Sequence, residues 1–208
     1  MSKKNNDFFT TKKEWSKIKD ELLSCYLKPY IQKILHTGKP IIYVDCFAGK
    51  GVFDDGNPGS PIIALNIIKE CIDSTRMFSW FVLPFFIELN HFDELKCNLE
   101  EYKEANVVHG KFEDQILNIL ANKKDCNVFL YIDPYGIKSL DCSLFDSLGD
   151  NNRFNSIELL INFNSFGFIR EGCRVLGFTF ENDDILMDLI EYLPVQSIID
   201  NKEKQTLN

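Results

Sequence analysis

Five short, largely apolar runs alternate along this chain with stretches of helical periodicity, and that alternation constrains the fold more than any other feature. The runs are Ile41–Val44, Phe81–Ile87, Val107–His109, Asn127–Ile132 and Ile157–Phe163. Their length and apolar character suit strands covered on both faces, as in a parallel sheet. Between them, residues 61–73, 90–103 and 112–122 carry apolar positions at helical spacing. Strands alternating with helices predict an α/β domain with a mostly parallel, doubly wound sheet of the Rossmann-like kind. Pro84 lies inside the second run, and a proline there predicts an edge position or a bulge.

Upstream, residues 12–35 read as an amphipathic helix or helix pair carrying Trp15, Ile18, Leu22, Leu23, Tyr26, Leu27, Ile31, Ile34 and Leu35. Pro29 is expected to kink it or to start a second segment. Asp54 to Pro61 is dense in turn residues, and Ser60 is placed to cap a helix with Pro61 in its first turn. The expected organisation is a helical extension over 1–39, the α/β domain over 40–180, and an acidic C-terminal helix with a frayed tail over 181–208.

With 208 residues and 45% hydrophobic content the chain can bury a substantial core. It has no run of eighteen apolar residues, so no membrane association is expected, and Met1–Asp7 lacks the apolar stretch of a secretion signal. Seven scattered cysteines without a C-x-x-C pair fit reduced thiols in a cytoplasmic protein, and no metal site is expected. A net charge of −8 argues against strong, unaided binding of free nucleic acid. The lysines at 3, 4, 12, 13, 17 and 19 run the other way. They suit a solvated helix face, a small phosphate-contacting patch or a docking surface for an acidic partner.

The chemistry-bearing residues gather at the carboxyl ends of the expected strands, where open α/β sheets bind their ligands. The first strand runs into Asp45-Cys46-Phe47-Ala48-Gly49-Lys50-Gly51, an acid followed by a two-glycine loop. Glycine there lets the backbone approach a ligand closely, although the same pattern would serve a tight turn needing glycine for shape alone. The spacing is neither the G-x-G-x-x-G of dinucleotide sites nor a P-loop, and no Ser or Thr follows Gly51. The D-x-F-x-G-x-G form favours S-adenosylmethionine, with Asp45, Phe47, Ala48, Gly49 and Gly51 around it.

Glu88, ending the second strand, is placed to accept the hydroxyl hydrogens of a ribose. Glu113 or Asp114, near Phe112 after the third, could meet an adenine amino group, or could simply suit the first turn of a helix. Asp133-Pro134-Tyr135-Gly136 follows the fourth strand. There Asp133 and Pro134 could fix an exocyclic amine while Tyr135 stacks on a base, a catalysis of positioning. Asn162 and Asn164 could line the same corner or shape a turn. Cys46 has no histidine partner in sequence and reads as a small buried side chain.

Tyr43–Gly51, Gly59-Ser60-Pro61, Phe86-Ile87-Glu88, Tyr131–Gly136 and Leu160–Phe163, with the N-terminal Trp-and-Lys helix, together resemble the three-Cys-motif partner proteins. The likeness covers roughly residues 12–175. That bacterial family looks like class I S-adenosylmethionine-dependent methyltransferases and is paired with a protein carrying a three-cysteine, radical-type iron–sulfur motif. The resemblance implies a cofactor loop at Asp45, Phe47, Gly49 and Gly51, a ribose acid at Glu88, and a catalytic corner at Asp133, Pro134 and Tyr135. It also implies methyl transfer to an exocyclic amine of a nucleic-acid base, or else a non-catalytic partner subunit of the iron–sulfur protein. The D-P-Y-G form differs by one proline from the D-P-P-Y of adenine amino-methylating enzymes and is similar to the D-P-F-G of transfer-RNA guanine amino-methyltransferases. A full sheet of this class has seven strands. Only residues 166–180 and 182–193 remain after Phe163, so the last two strands are expected to be missing or lent by another chain, and association is expected.

Overall fold

In a computed structural model the structure describes residues 9–134, 144, 148 and 153–163. The C-terminal stretch expected to hold a helix and a tail, and the segment expected to supply or lack two strands, lie outside them. A first compact unit takes in residues 1–134 and 140–162.

The unit is α/β: a five-stranded, all-parallel sheet flanked by helices. Its elements are α1 (Glu14–Leu35), β1 (Ile41–Asp45), α2 (Ser60–Thr75), β2 (Val82–Glu88), α3 (Phe92–Asn98), β3 (Asn106–His109), α4 (Phe112–Leu120), β4 (Asn127–Ile132) and β5 (Ser156–Ile161). The spatial order is β3-β2-β1-β4-β5. Chain direction across the sheet therefore reverses between β1 and β4, the switch point where such sheets open for a ligand. The arrangement is compatible with a Rossmann-like fold.

Alternation along the strands divides the core in two. Ile41, Tyr43, Phe86, Phe129 and Tyr131 point to one face and pack with Leu23, Leu27, Ile31 and Leu35 of α1, with α2, and with Leu95. Ile42, Val44, Ile87, Val128, Leu130 and Ile132 point to the other, against Phe112, Ile116 and Leu120 of α4 and Leu144 and Leu148. All five residues of β1 and all six of β4 are buried, as befits the centre of a parallel sheet.

Three expectations are corrected. Helix α1 runs unbroken through Pro29, and only one of its apolar stripes is buried: Trp15, Ile18, Leu22 and Tyr26 remain exposed. Pro84 lies in a strand flanked on both sides. The loss of its N–H is tolerated because β3 pairs only from Phe85↔Asn106 onward, leaving the β3 side of Pro84 locally an edge. The Pro84 carbonyl on that side accepts from the Asn106 side chain at 3.0 Å. Finally, Ser60 does not cap α2. Gly59 holds the N-cap position and Pro61 the first turn, while the Ser60 hydroxyl is spent elsewhere.

Candidate functional site

The tips of β1, β2 and β4 present three carboxylates, Asp45, Glu88 and Asp133, to one end of the sheet, and the parallel register makes them neighbours. Asp45 is fully buried. Its Oδ1 accepts the Phe47 N–H at 3.2 Å and its Oδ2 accepts the Ser60 hydroxyl at 2.6 Å, which ties the strand tip to the start of α2. Burial raises its carboxyl pKa to about 7, against those two hydrogen bonds, and the charges of Asp133 and Glu88 push the same way.

Glu88 is turned back onto the glycine loop. Its Oε2 accepts the Gly49 N–H at 2.8 Å, and its Oε1 accepts the N–H groups of Asn90 at 2.7 Å and His91 at 3.0 Å. One carboxylate thus organises three backbone donors from two loops, and Oε2 retains acceptor capacity for a further donor. The loop is held from the other side as well: the Ala48 N–H donates to Ile87 O at 3.0 Å and the Gly59 N–H to Gly51 O at 2.8 Å. Gly49 and Gly51 sit at φ 63° and 80°, backbone angles that ordinary side chains rarely adopt. A Cβ on Gly51 would also lie 3.0 Å from Leu95 Cδ1. Gly51→Ala is expected to cost about 2 kcal/mol, from the left-handed backbone and the crowding together, measured by chemical denaturation.

Asp133 is met by Lys19 of α1, whose Nζ lies 2.5 Å from Oδ1, and this pairing spans 114 residues of sequence. Burial raises the Asp133 pKa, while Lys19 and a hydrogen bond from Asn162 hold it down. The Asn162 side chain also donates to the Tyr131 hydroxyl at 2.8 Å, so the β5 tip does join this corner. Pro134 is half-buried beside Asp133. Tyr135, Gly136 and Asn164 lie outside the described residues.

The remaining expected residues divide. Phe47 packs its ring on Phe112 with centroids 5.7 Å apart, and Glu113 is close enough to influence Cys46. Asp114 is exposed, in the first turn of α4. Cys46 is buried, and burial pushes its thiol well above the ordinary range, which suits a packing role. Lys50 pairs with Asp54 at 3.6 Å and lies over the Phe9 ring. Three of the four described lysines of the basic stretch are matched internally, Lys12 with Asp20, Lys17 with Glu14 and Lys19 with Asp133, while Lys3 and Lys4 lie outside the described residues.

Residues 9–12 form a clasp that sequence reading missed. The Asp54 N–H donates to Phe9 O at 2.8 Å, the Lys12 N–H to Asp55 Oδ2 at 2.9 Å, and Lys12 Nζ to Pro58 O at 2.5 Å. Phe9 lies edge-on to His91, 4.9 Å between centroids. The dense turn signals of 54–61 were visible in the sequence, but their partners were not.

No helix of the described residues is long and apolar enough to cross a membrane. No protein-family model matches the chain, and no curated protein matches it in sequence.

Proposed function

We propose that this chain is an S-adenosylmethionine-dependent methyltransferase of the class I kind, acting on an exocyclic amine of a nucleic-acid base. The observation that carries the reading is the set of three carboxylates at adjoining strand tips, one of them buried and raised to about 7, around a two-glycine loop. A ligand bearing a sulfonium and an ammonium group would relieve that concentration of acid, whereas a pyrophosphate would aggravate it. Asp45, Phe47, Ala48, Gly49, Gly51 and Glu88 are the residues that would hold the cofactor, with Glu113 and Asp114 at its far end. The bound cofactor supplies an electrophilic methyl group. The role given to Asp133 and Pro134, with Tyr135, is to accept the amine's hydrogen bond and aim its lone pair.

Isothermal titration with S-adenosylmethionine tests the cofactor, and absence of both heat and thermal stabilisation would remove it. A second reading keeps the cofactor but makes the chain a non-catalytic partner of a three-Cys-motif iron–sulfur protein. One observation favours it: Lys19 already occupies the Asp133 carboxylate. Methyl transfer to total RNA or DNA separates the two, because a partner subunit gives no turnover.

A further inference from the structure

Lys19 is an unusual neighbour for a carboxylate assigned to hold an amine, since its own ammonium has the hydrogen-bonding chemistry of the group to be held. The pair is neither sealed nor loose. The Lys19 and Asp133 side chains keep 29% and 25% of their exposure, so both reach solvent while most of each is desolvated. Lys19 Nζ also stands over the Trp15 ring, 4.8 Å from its centroid, one helical turn back on α1. Asn162, whose amide donates to the Tyr131 hydroxyl at 2.8 Å, stands at the β5 tip close enough to this carboxylate to help hold its pKa down. Asp20 stands near both partners, itself paired with Lys12. A carboxylate, an amide, an aromatic face and a second acid nearby are together the elements of a cation seat, and they come from α1 and from the tips of β4 and β5 rather than from one local motif.

We propose that Asp133, Asn162 and the Trp15 ring form a seat for a protonated primary amine, filled in the ligand-free protein by Lys19, which an incoming amino group displaces. The seat does not depend on the methyl-transfer reading, whose acceptor is a neutral amine that would meet the same carboxylate through its N–H. Because Lys19 is tethered on α1, it competes as an intramolecular ligand at high effective concentration. Amine binding in the wild-type protein is therefore weak until the rest of a substrate contributes, which keeps small amines out. No bond is made or broken in the exchange, and the displaced ammonium swings to solvent along its flexible stem.

Ethylammonium chloride is the probe, followed by the Trp15 indole and Asn162 amide resonances at constant ionic strength and at a pH above neutrality. Lys19→Ala is expected to bind it saturably and at least about tenfold more tightly than wild type, the loss of the tethered competitor. Tetramethylammonium, which cannot donate a hydrogen bond, is expected to bind far more weakly, and the Lys19→Ala/Asp133→Asn double variant not at all. Equal affinity in wild type and Lys19→Ala, equal affinity for the two cations, or survival of binding in the double variant would overturn the seat. The wild-type protein offers a test without substitution: excess ethylammonium should move the Lys19 ε-methylene resonance out of the Trp15 ring current. A resonance that stays in place overturns displacement. Failure of S-adenosylmethionine to bind would instead remove the methyl-transfer reading and leave these results standing.

Discussion

Glu88→Ala is expected to lower the melting temperature by about 10 °C and to abolish binding of S-adenosylmethionine. The Glu88 side chain is almost wholly buried, and its carboxylate accepts from Gly49, Asn90 and His91. Hydrogen bonds to a charged group contribute about 1.5–3 kcal/mol each, and removing a shared acceptor strands all its donors. The three are not additive, so a loss of about 4 kcal/mol is the reasonable sum. Glu88→Gln separates architecture from ligand. Its oxygen can still serve Asn90 and His91, but its amide NH₂ then faces the Gly49 N–H, donor against donor. About half of the stability loss is expected to return while cofactor binding stays weak. Full recovery of binding in the glutamine variant would show that the carboxylate serves the loop alone.

The second large effect is a pH dependence centred on Asp45. Its folded pKa of about 7 lies above the ordinary 3.8, so between those values the folded protein holds a proton that the unfolded chain has released. The stability this contributes is fully present below about pH 4 and is lost as pH rises through about 7, with a ceiling near 4 kcal/mol for a shift of that size. Asp133 and Asp20 are raised as well and tilt the curve in the same direction. Denaturant titrations at pH 5 and pH 8 should show the wild type distinctly less stable at pH 8, and Asp45→Asn much less affected. A flat wild-type profile would contradict a buried, raised Asp45. The same group supplies a signature of cofactor binding. A cation placed among these acids lowers the Asp45 pKa, so binding near neutrality should expel a proton and its heat should vary with the ionisation enthalpy of the buffer.

The strands and their tips were legible because both signals are local. An apolar run ending at Asp45, Glu88 or Asp133 states in four to seven residues where a buried strand stops and where its chemistry begins. Partnership was not legible. Nothing near Lys19 in sequence distinguishes it from the other lysines of α1, and its pairing with Asp133 depends on how α1 lies across the sheet. Ser60 carried a true signal for the start of α2, but a buried aspartate outbid the helix for its hydroxyl. The apolar stripe of α1 misled for a related reason. Periodicity reports which residues share a face and not whether the fold covers it, so Trp15 and Ile18 read as core and stand exposed. Pro84 obeyed its rule at the level of the residue, on a flank that β3 does not yet reach, while breaking it at the level of the strand.

The strand order carries a consequence for synthesis. β1, at the centre of the five described strands, precedes the other four in the chain, but its pairing with β4 must wait until α2, β2, α3, β3 and α4 have all emerged. Throughout that interval the nascent chain holds an apolar, one-sided β1 whose open edge can recruit any passing strand. The parallel pairings are all long-range and therefore slow to close. Until β4 arrives, the side of β1 that faces it is therefore the part of the sheet most open to mispairing.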